Sequence, residues 1–258
     1  MNRVWIGRAT MQRRWWWVAL TVVAVVAATA LQFSQNHAGQ ASSSPTGSAG
    51  RTVLLIGDSY TEGSSTPDQS YGCLTAAELG WTCDIATQPG TGYLNGGPGH
   101  RFQLGGNTES TTSFAERLPA LREMYRPDFV ILDGGRNDLQ YDTGELLRTL
   151  TDTVTETIDC WPNSHIVVIA PWFLNEPVIR PPALGGRTIG EQFRSALDSL
   201  PAGENVDLID PAALGWFVDM DVAPYLSDDG IHPDVDGVER ISRLLTAALI
   251  TEAGVSPS

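Results

Sequence analysis

Thr52-Val53-Leu54-Leu55-Ile56-Gly57-Asp58-Ser59 is an apolar, β-branched run that stops abruptly on a glycine, an acid and a hydroxyl. A run this short and this apolar suits a strand covered on both faces, as in a parallel sheet. Four more runs follow, at 83–86, 129–132, 166–170 and 206–209, and amphipathic stretches lie between them at 71–79, 114–125, 144–158 and 189–200, with a last at 235–253. Strand and helix in strict alternation predict an α/β fold: a doubly wound, three-layer α/β/α sandwich built on a five-stranded parallel sheet. Right-handed crossovers then bring the carboxyl ends of all five strands to one edge, where ligands bind in such sheets.

Three polar strings are expected at or near that edge. Gly57-Asp58-Ser59 closes the first run, Gly135-Arg136-Asn137-Asp138 closes the third, and Asp229-Gly230-Ile231-His232-Pro233 precedes the last amphipathic stretch. A serine hydroxyl becomes a nucleophile only when a base takes its proton, and histidine suits that work near neutrality. Of the four histidines (His37, His100, His165 and His232), only His232 has a plausible orienting acid beside it, Asp229, three residues earlier. That carboxylate can fix the ring's tautomer and stabilise its charged form. Pro233 suits the first position of the following helix. Acyl transfer also needs donors for an oxyanion, and three are available: the Ser59 N–H, a glycine N–H within Pro89-Gly90-Thr91-Gly92, and the Asn137 amide. Alone, Asp-x-x-His reads as a cap and Gly-x-Asn-Asp as a turn; their conjunction and order favour a hydrolytic site. Gly-x-Ser-x-Gly is absent, with Thr61 where its second glycine would stand, which argues against an α/β-hydrolase elbow.

Taken together, the four blocks resemble the SGNH, or GDSL, hydrolase superfamily over about two hundred residues, from Val53 to Ala248. The resemblance implies that Ser59 is the nucleophile and an oxyanion donor, that Asn137 is a second donor, and that His232 and Asp229 complete a triad. It also implies a glycine donor in the second block, mapped to Gly92 with Gly90 as the alternative. Strand order of flavodoxin type, no cofactor, no metal, and hydrolysis of esters, including those on lipids and acetylated sugars, are the further implications. Tyr60 stands where the name-giving pattern has leucine, and the asparagine often found upstream of the second-block glycine is missing.

The remaining sequence bounds partners and compartment. Four arginines precede an uncharged stretch at 15–31, which reads either as a cleaved signal peptide ending near Ala28-Thr29-Ala30 or as an anchor with a Trp15-Trp16-Trp17 belt. Residues 1–33 are thus a signal peptide or membrane anchor, 34–50 a Ser/Gly-rich tether, and 51–258 the folded domain, placed outside the cytoplasm. With no acid in the first fifty residues, the remainder carries 12 basic against 30 acidic residues and no lysine at all. Such a surface repels nucleic acid. Cys73 and Cys83 are close enough for a local bridge in an oxidising compartment, or else are two buried thiols, and Cys160 reads as core. No spacing of cysteines and histidines suits a metal. Trp172, Phe173, Trp216, Phe217 and Tyr225 either line a pocket for the ester or cover the edge of the core. The favoured function is an exported serine esterase acting on a small-molecule or glycan ester. An acyltransferase that modifies envelope glycans and a non-catalytic binding module are the alternatives, and the oligomeric state is left open.

Overall fold

The computed structural model describes residues 50–63, 69–103, 110–201 and 205–255. The N-terminal segment expected at 1–33, and all of the tether but Gly50, lie outside the described residues. Five parallel strands form one sheet: β1 (Thr52–Gly57), β2 (Thr82–Thr87), β3 (Phe129–Asp133), β4 (His165–Ile169) and β5 (Val206–Ile209), in the order β2-β1-β3-β4-β5. That is the flavodoxin-type order, as expected.

The helices are α1 (Ser59–Glu62), α2 (Tyr71–Glu78), α3 (Phe114–Met124), α4 (Thr143–Cys160), α5 (Ile189–Leu197) and α6 (Val235–Glu252). Successive side chains of a strand point to opposite faces, and the core divides accordingly. Val53, Leu55, Ile131, Val167 and Ile169 pack with Tyr71 and Ala76 of α2 and with Ile241, Leu245 and Leu249 of α6. Leu54, Ile56, Val130, Leu132 and Val168 pack with Phe114 and Leu118 of α3, Leu150 and Val154 of α4, and Phe193 of α5. Two helical layers thus sandwich the sheet.

Burial on both faces holds for the central strands but not for β2, which is half-exposed along its length. An apolar run identifies a strand without saying whether a neighbour flanks each side, and β2 is an edge. A disulfide from Cys73 in α2 to Cys83 in β2 ties this edge to the helical layer, with 5.4 Å between the Cα atoms. Polar caps start the helices: Ser70 accepts from the Cys73 N–H, Asp142 from Glu145, and Thr188 forms a reciprocal capping box with Glu191. The last helix begins at Val235, where the amphipathic stretch begins, but two residues after Pro233. Asp234 is its cap, accepting from the Gly237 N–H, so Pro233 falls before the helix and pairs with Leu226 in a short bridge. Among the described residues no helix is long and apolar enough to cross a membrane.

Candidate active site

Ser59 is the first residue of α1, reached from β1 through Gly57 and Asp58. The N–H of a first helical residue has no partner within its helix, which leaves that of Ser59 available as a donor. Asn137 lies on a 3-10 turn, Arg136–Asp138, that follows β3. Gly135, at φ 92°, supplies the left-handed residue that lets the chain leave the strand and turn back over it. His232 lies in the loop before α6 and reaches across to α1. Its Nε2 is 2.8 Å from the Ser59 Oγ, and its Nδ1 is 2.6 Å from the Asp229 Oδ2. Serine, imidazole and carboxylate thus form one chain of hydrogen bonds across 173 residues of sequence.

Asp229 is held by more than the ring. Its Oδ1 accepts from the Ile231 N–H at 2.8 Å, the His232 N–H at 2.9 Å and the Ser227 hydroxyl at 2.8 Å. The hydrogen bond from His232, followed by the backbone donors, holds this carboxyl well below the usual range although it is open to solvent.

Beneath the serine lies a second set of charges, which is dry. The Arg136 guanidinium donates to the Asp58 Oδ1 at 2.9 Å and to the Asp133 Oδ1 at 3.0 Å, with all three side chains at most 1% exposed. Asp58 also accepts from the Tyr60 N–H at 2.9 Å and from the Asn137 amide at 3.1 Å. Asp133 accepts from the Thr61 hydroxyl at 2.8 Å and from the Tyr71 hydroxyl. Burial pushes the Asp58 carboxyl up, and Arg136 opposes it. Burial alone would pull Arg136 down, but the two carboxylates outweigh it and hold the guanidinium above its usual value.

The glycine loop arrives from β2 and sits on the same turn. Asp138 accepts from three successive amides, Tyr93 at 2.9 Å, Leu94 at 2.9 Å and Asn95 at 2.7 Å. Here the geometry departs from the expectation at Gly92. The Gly92 N–H donates to the Asn95 carbonyl at 3.0 Å, and a Cβ there would stand 2.1 Å from the Asp138 Oδ2. Gly92 is therefore a packing glycine against Asp138, and it does not line the cleft. Gly90 does. The Thr91 N–H donates to the Gln88 carbonyl across Pro89-Gly90, and Gly90 has φ 74°, which makes a type II turn. In such a turn the second central N–H is left out of the turn's own hydrogen bond.

Two adjoining clefts of about 370 and 480 Å³ meet at Ser59, Tyr60, Pro89 and His232. The smaller is edged by Glu62, Ser227 and Asp229, and the larger by Gly90, Asn137, Phe102, Phe173 and Ile231. Of the five aromatic residues considered for a pocket, only Phe173 lines these clefts. Trp172, Trp216 and Phe217 are buried and pack on one another, and Tyr225 sits against Phe217. His165 lies at the opposite edge of the sheet, 2.6 Å from Asp207, and His100 stacks on Tyr141. Phe102, Arg136 and the clamp made by Asp138 were not marked by the sequence as parts of the site. Asp138 could have been found from its place in Gly-x-Asn-Asp; the other two had no local signal.

The comparisons with known proteins agree with this architecture. The model of the GDSL-like Lipase/Acylhydrolase family matches residues 55–240, and the chain belongs to that family, a class of hydrolases. No curated protein matches the chain. Among solved structures it is similar to a carbohydrate esterase family 2 enzyme from Corynascus thermopiles (Myceliophthora fergusii), with TM-score 0.55 and 19% identity, covering 83% of this chain and 69% of that one. It is also similar to a family two carbohydrate esterase from Clostridium thermocellum in complex with cellohexaose, with TM-score 0.57, 19% identity and 82% of this chain, but it spans only 66% of that protein's length. Est24, a carbohydrate acetylesterase from Sinorhizobium meliloti, is similar over 77% of this chain and 98% of its own, with TM-score 0.51 and 18% identity.

Proposed function

We propose that this hydrolase is an exported serine esterase that cleaves short acyl esters, with carbohydrate esters the favoured class, through Ser59, His232 and Asp229. The observation that carries the reading is the unbroken hydrogen-bond chain from the Ser59 Oγ through His232 to Asp229, at 2.8 and 2.6 Å. Ser59 attacks the ester carbonyl as His232 Nε2 takes its proton, and Asp229 stabilises the imidazolium. The oxyanion accepts from the N–H groups of Ser59 and Gly90 and from Asn137, which shares with it the N–H now donated at 3.1 Å to Asp58. His232 then protonates the leaving alcohol, and water repeats the cycle on the acyl-enzyme.

Several features support the finer parts of this reading. The clefts are shallow and floored by Ser59, and Phe102 and Phe173 present apolar faces on which an acyl group or a sugar ring can rest. His232 keeps 37% of its side chain exposed, which gives water access to the acyl-enzyme and favours hydrolysis over transfer to a sugar hydroxyl. The Cys73–Cys83 bridge is of the kind that persists in oxidising compartments and supports export. Replacing Ser59 with Ala is expected to abolish release of p-nitrophenol from p-nitrophenyl acetate, and a fluorophosphonate probe is expected to label the parent chain but not the variant. Turnover retained by Ser59→Ala would overturn the assignment. Assay of acetylated xylan and cello-oligosaccharides against longer acyl esters tests the substrate class.

A further inference from the structure

The loop that carries His232 is tied mostly to itself. The Ser227 N–H donates to the His232 carbonyl, the Gly230 N–H donates to the Ser227 carbonyl, and Asp229 gathers the Ser227 hydroxyl and the amides of Ile231 and His232. Such internal bonds give the loop a shape but do not fix it to the sheet. Apart from His232's own bond to Ser59, two hydrogen bonds link residues 227–232 to the loops around them among the described residues. One runs from the exposed Asn175 amide to the Gly230 carbonyl at 3.2 Å, where water competes. The other runs from the Tyr60 hydroxyl to the Ile231 carbonyl at 2.6 Å, from a side chain that is 2% exposed.

Tyr60 directly follows the serine in the chain, and Ile231 directly precedes the histidine. We infer that Tyr60 is a positioning residue whose hydroxyl holds the His232 loop at the distance from α1 at which imidazole and serine share a proton. The ring that carries the hydroxyl is itself fixed. Trp172 and Phe173 meet it edge-on with centroids 5.9 Å away, and the Arg136 guanidinium lies over it at 4.6 Å. A cation on the face of a phenol draws electron density from the ring and strengthens the O–H as a donor. Its oxygen also accepts from the Leu174 N–H at 3.5 Å, so three loops meet at one atom. The leucine of the family's name-giving pattern would fill this space but would have no proton to donate.

The inference rests on the serine-esterase reading, so the test pairs Tyr60→Phe with Ser59→Ala in the full chain, using p-nitrophenyl acetate, butyrate and octanoate. Tyr60→Phe keeps the ring and removes only the hydroxyl, with its bond to Ile231 and the longer one from Leu174. The expected result is a fall of about tenfold in kcat, the same for all three esters, with KM within about twofold of the parent. Incorporation of 4-aminophenylalanine at residue 60, which restores a donor, is expected to recover most of the loss. If Ser59→Ala is inactive but Tyr60→Phe keeps the parent's kcat, the tether is overturned while the esterase reading stands. A loss confined to KM, a loss that varies with acyl length, or failure of the amino ring to rescue also overturns it. Activity in Ser59→Ala removes the serine reading and the tether with it.

Discussion

Two clusters of hydrogen-bonded carboxylates stand at the carboxyl edge of this sheet, one dry and one wet. In the first, Arg136 lies between Asp58 and Asp133 with side chains at most 1% exposed. In the second, His232 and Asp229 keep 37% and 48% of their side chains exposed. Low dielectric makes the buried set rigid and makes the loss of any one member costly. The exposed pair holds the fold together very little, which suits it to the proton transfer proposed for it. The same kind of interaction is spent on shape in one place and, in the proposed mechanism, on chemistry in the other.

The sharpest way to break this comparison is at Asp229. Asp229→Ala is expected to lower kcat by about 10²- to 10⁴-fold while moving the melting temperature by no more than about 2 °C. Ester hydrolysis and a thermal melt on one sample check both halves, and a large drop in the melt would contradict the division of labour. Arg136→Met is expected to do the reverse in stability, costing about 3–5 kcal/mol in urea unfolding by leaving two buried carboxylates uncompensated. Adding Asp58→Asn to Arg136→Met should then recover roughly 1–2 kcal/mol, because one stranded charge is gone; a double variant less stable than the single would refute the buried-charge account.

At Gly90 and Gly92 the expected effects are smaller and opposite. Gly92→Ala drives a methyl against the Asp138 carboxylate at 2.1 Å and should cost stability. Gly90→Ala meets Phe102 at 3.0 Å and strains a φ of 74°, disturbing a turn that lines the cleft, and should cost activity in larger measure. Equal losses of both kinds at the two positions would blur the distinction.

The alkaline limb gives the mildest test. Burial raises the Tyr60 phenol to about 12, and Tyr71 and Tyr93 are raised above 10 by burial as well. A group that binds its proton more tightly when folded stabilises the fold as pH falls. That contribution is complete below the unfolded value near 10 and is lost as pH rises towards 12. Tyrosinate absorbance and far-ultraviolet circular dichroism followed together from pH 9 to 12 should show these phenols ionising with unfolding rather than before it.

The sheet was legible because each strand is an apolar run and each helix an amphipathic one, and because parallel crossovers permit few arrangements. That Ser59, Asn137 and His232 come together at one cleft, with Asp229 bonded to the histidine, was legible as well, from short polar strings that follow β1 and β3 and precede α6. What the sequence concealed was the exposure of β2, which depends on which strand lies outermost, and the fate of individual N–H groups. Pro89-Gly90 announces a turn, but only coordinates show that Gly90 faces the cleft while the Gly92 N–H is taken by Asn95. Tyr60 and Arg136 were concealed for a different reason. Their partners lie 171 and 78 residues away, and nothing next to them in the chain announces the contact.

Asp138 carries a consequence for how such a cleft diversifies. By gripping three amides in a row, it welds the glycine loop to the turn that bears Asn137. Displacing the end of β3 would carry the glycine loop and Asn137 along as one part and leave their spacing intact. The outer wall, with Phe102 beyond the grip, can then be reshaped without disturbing the inner wall behind it.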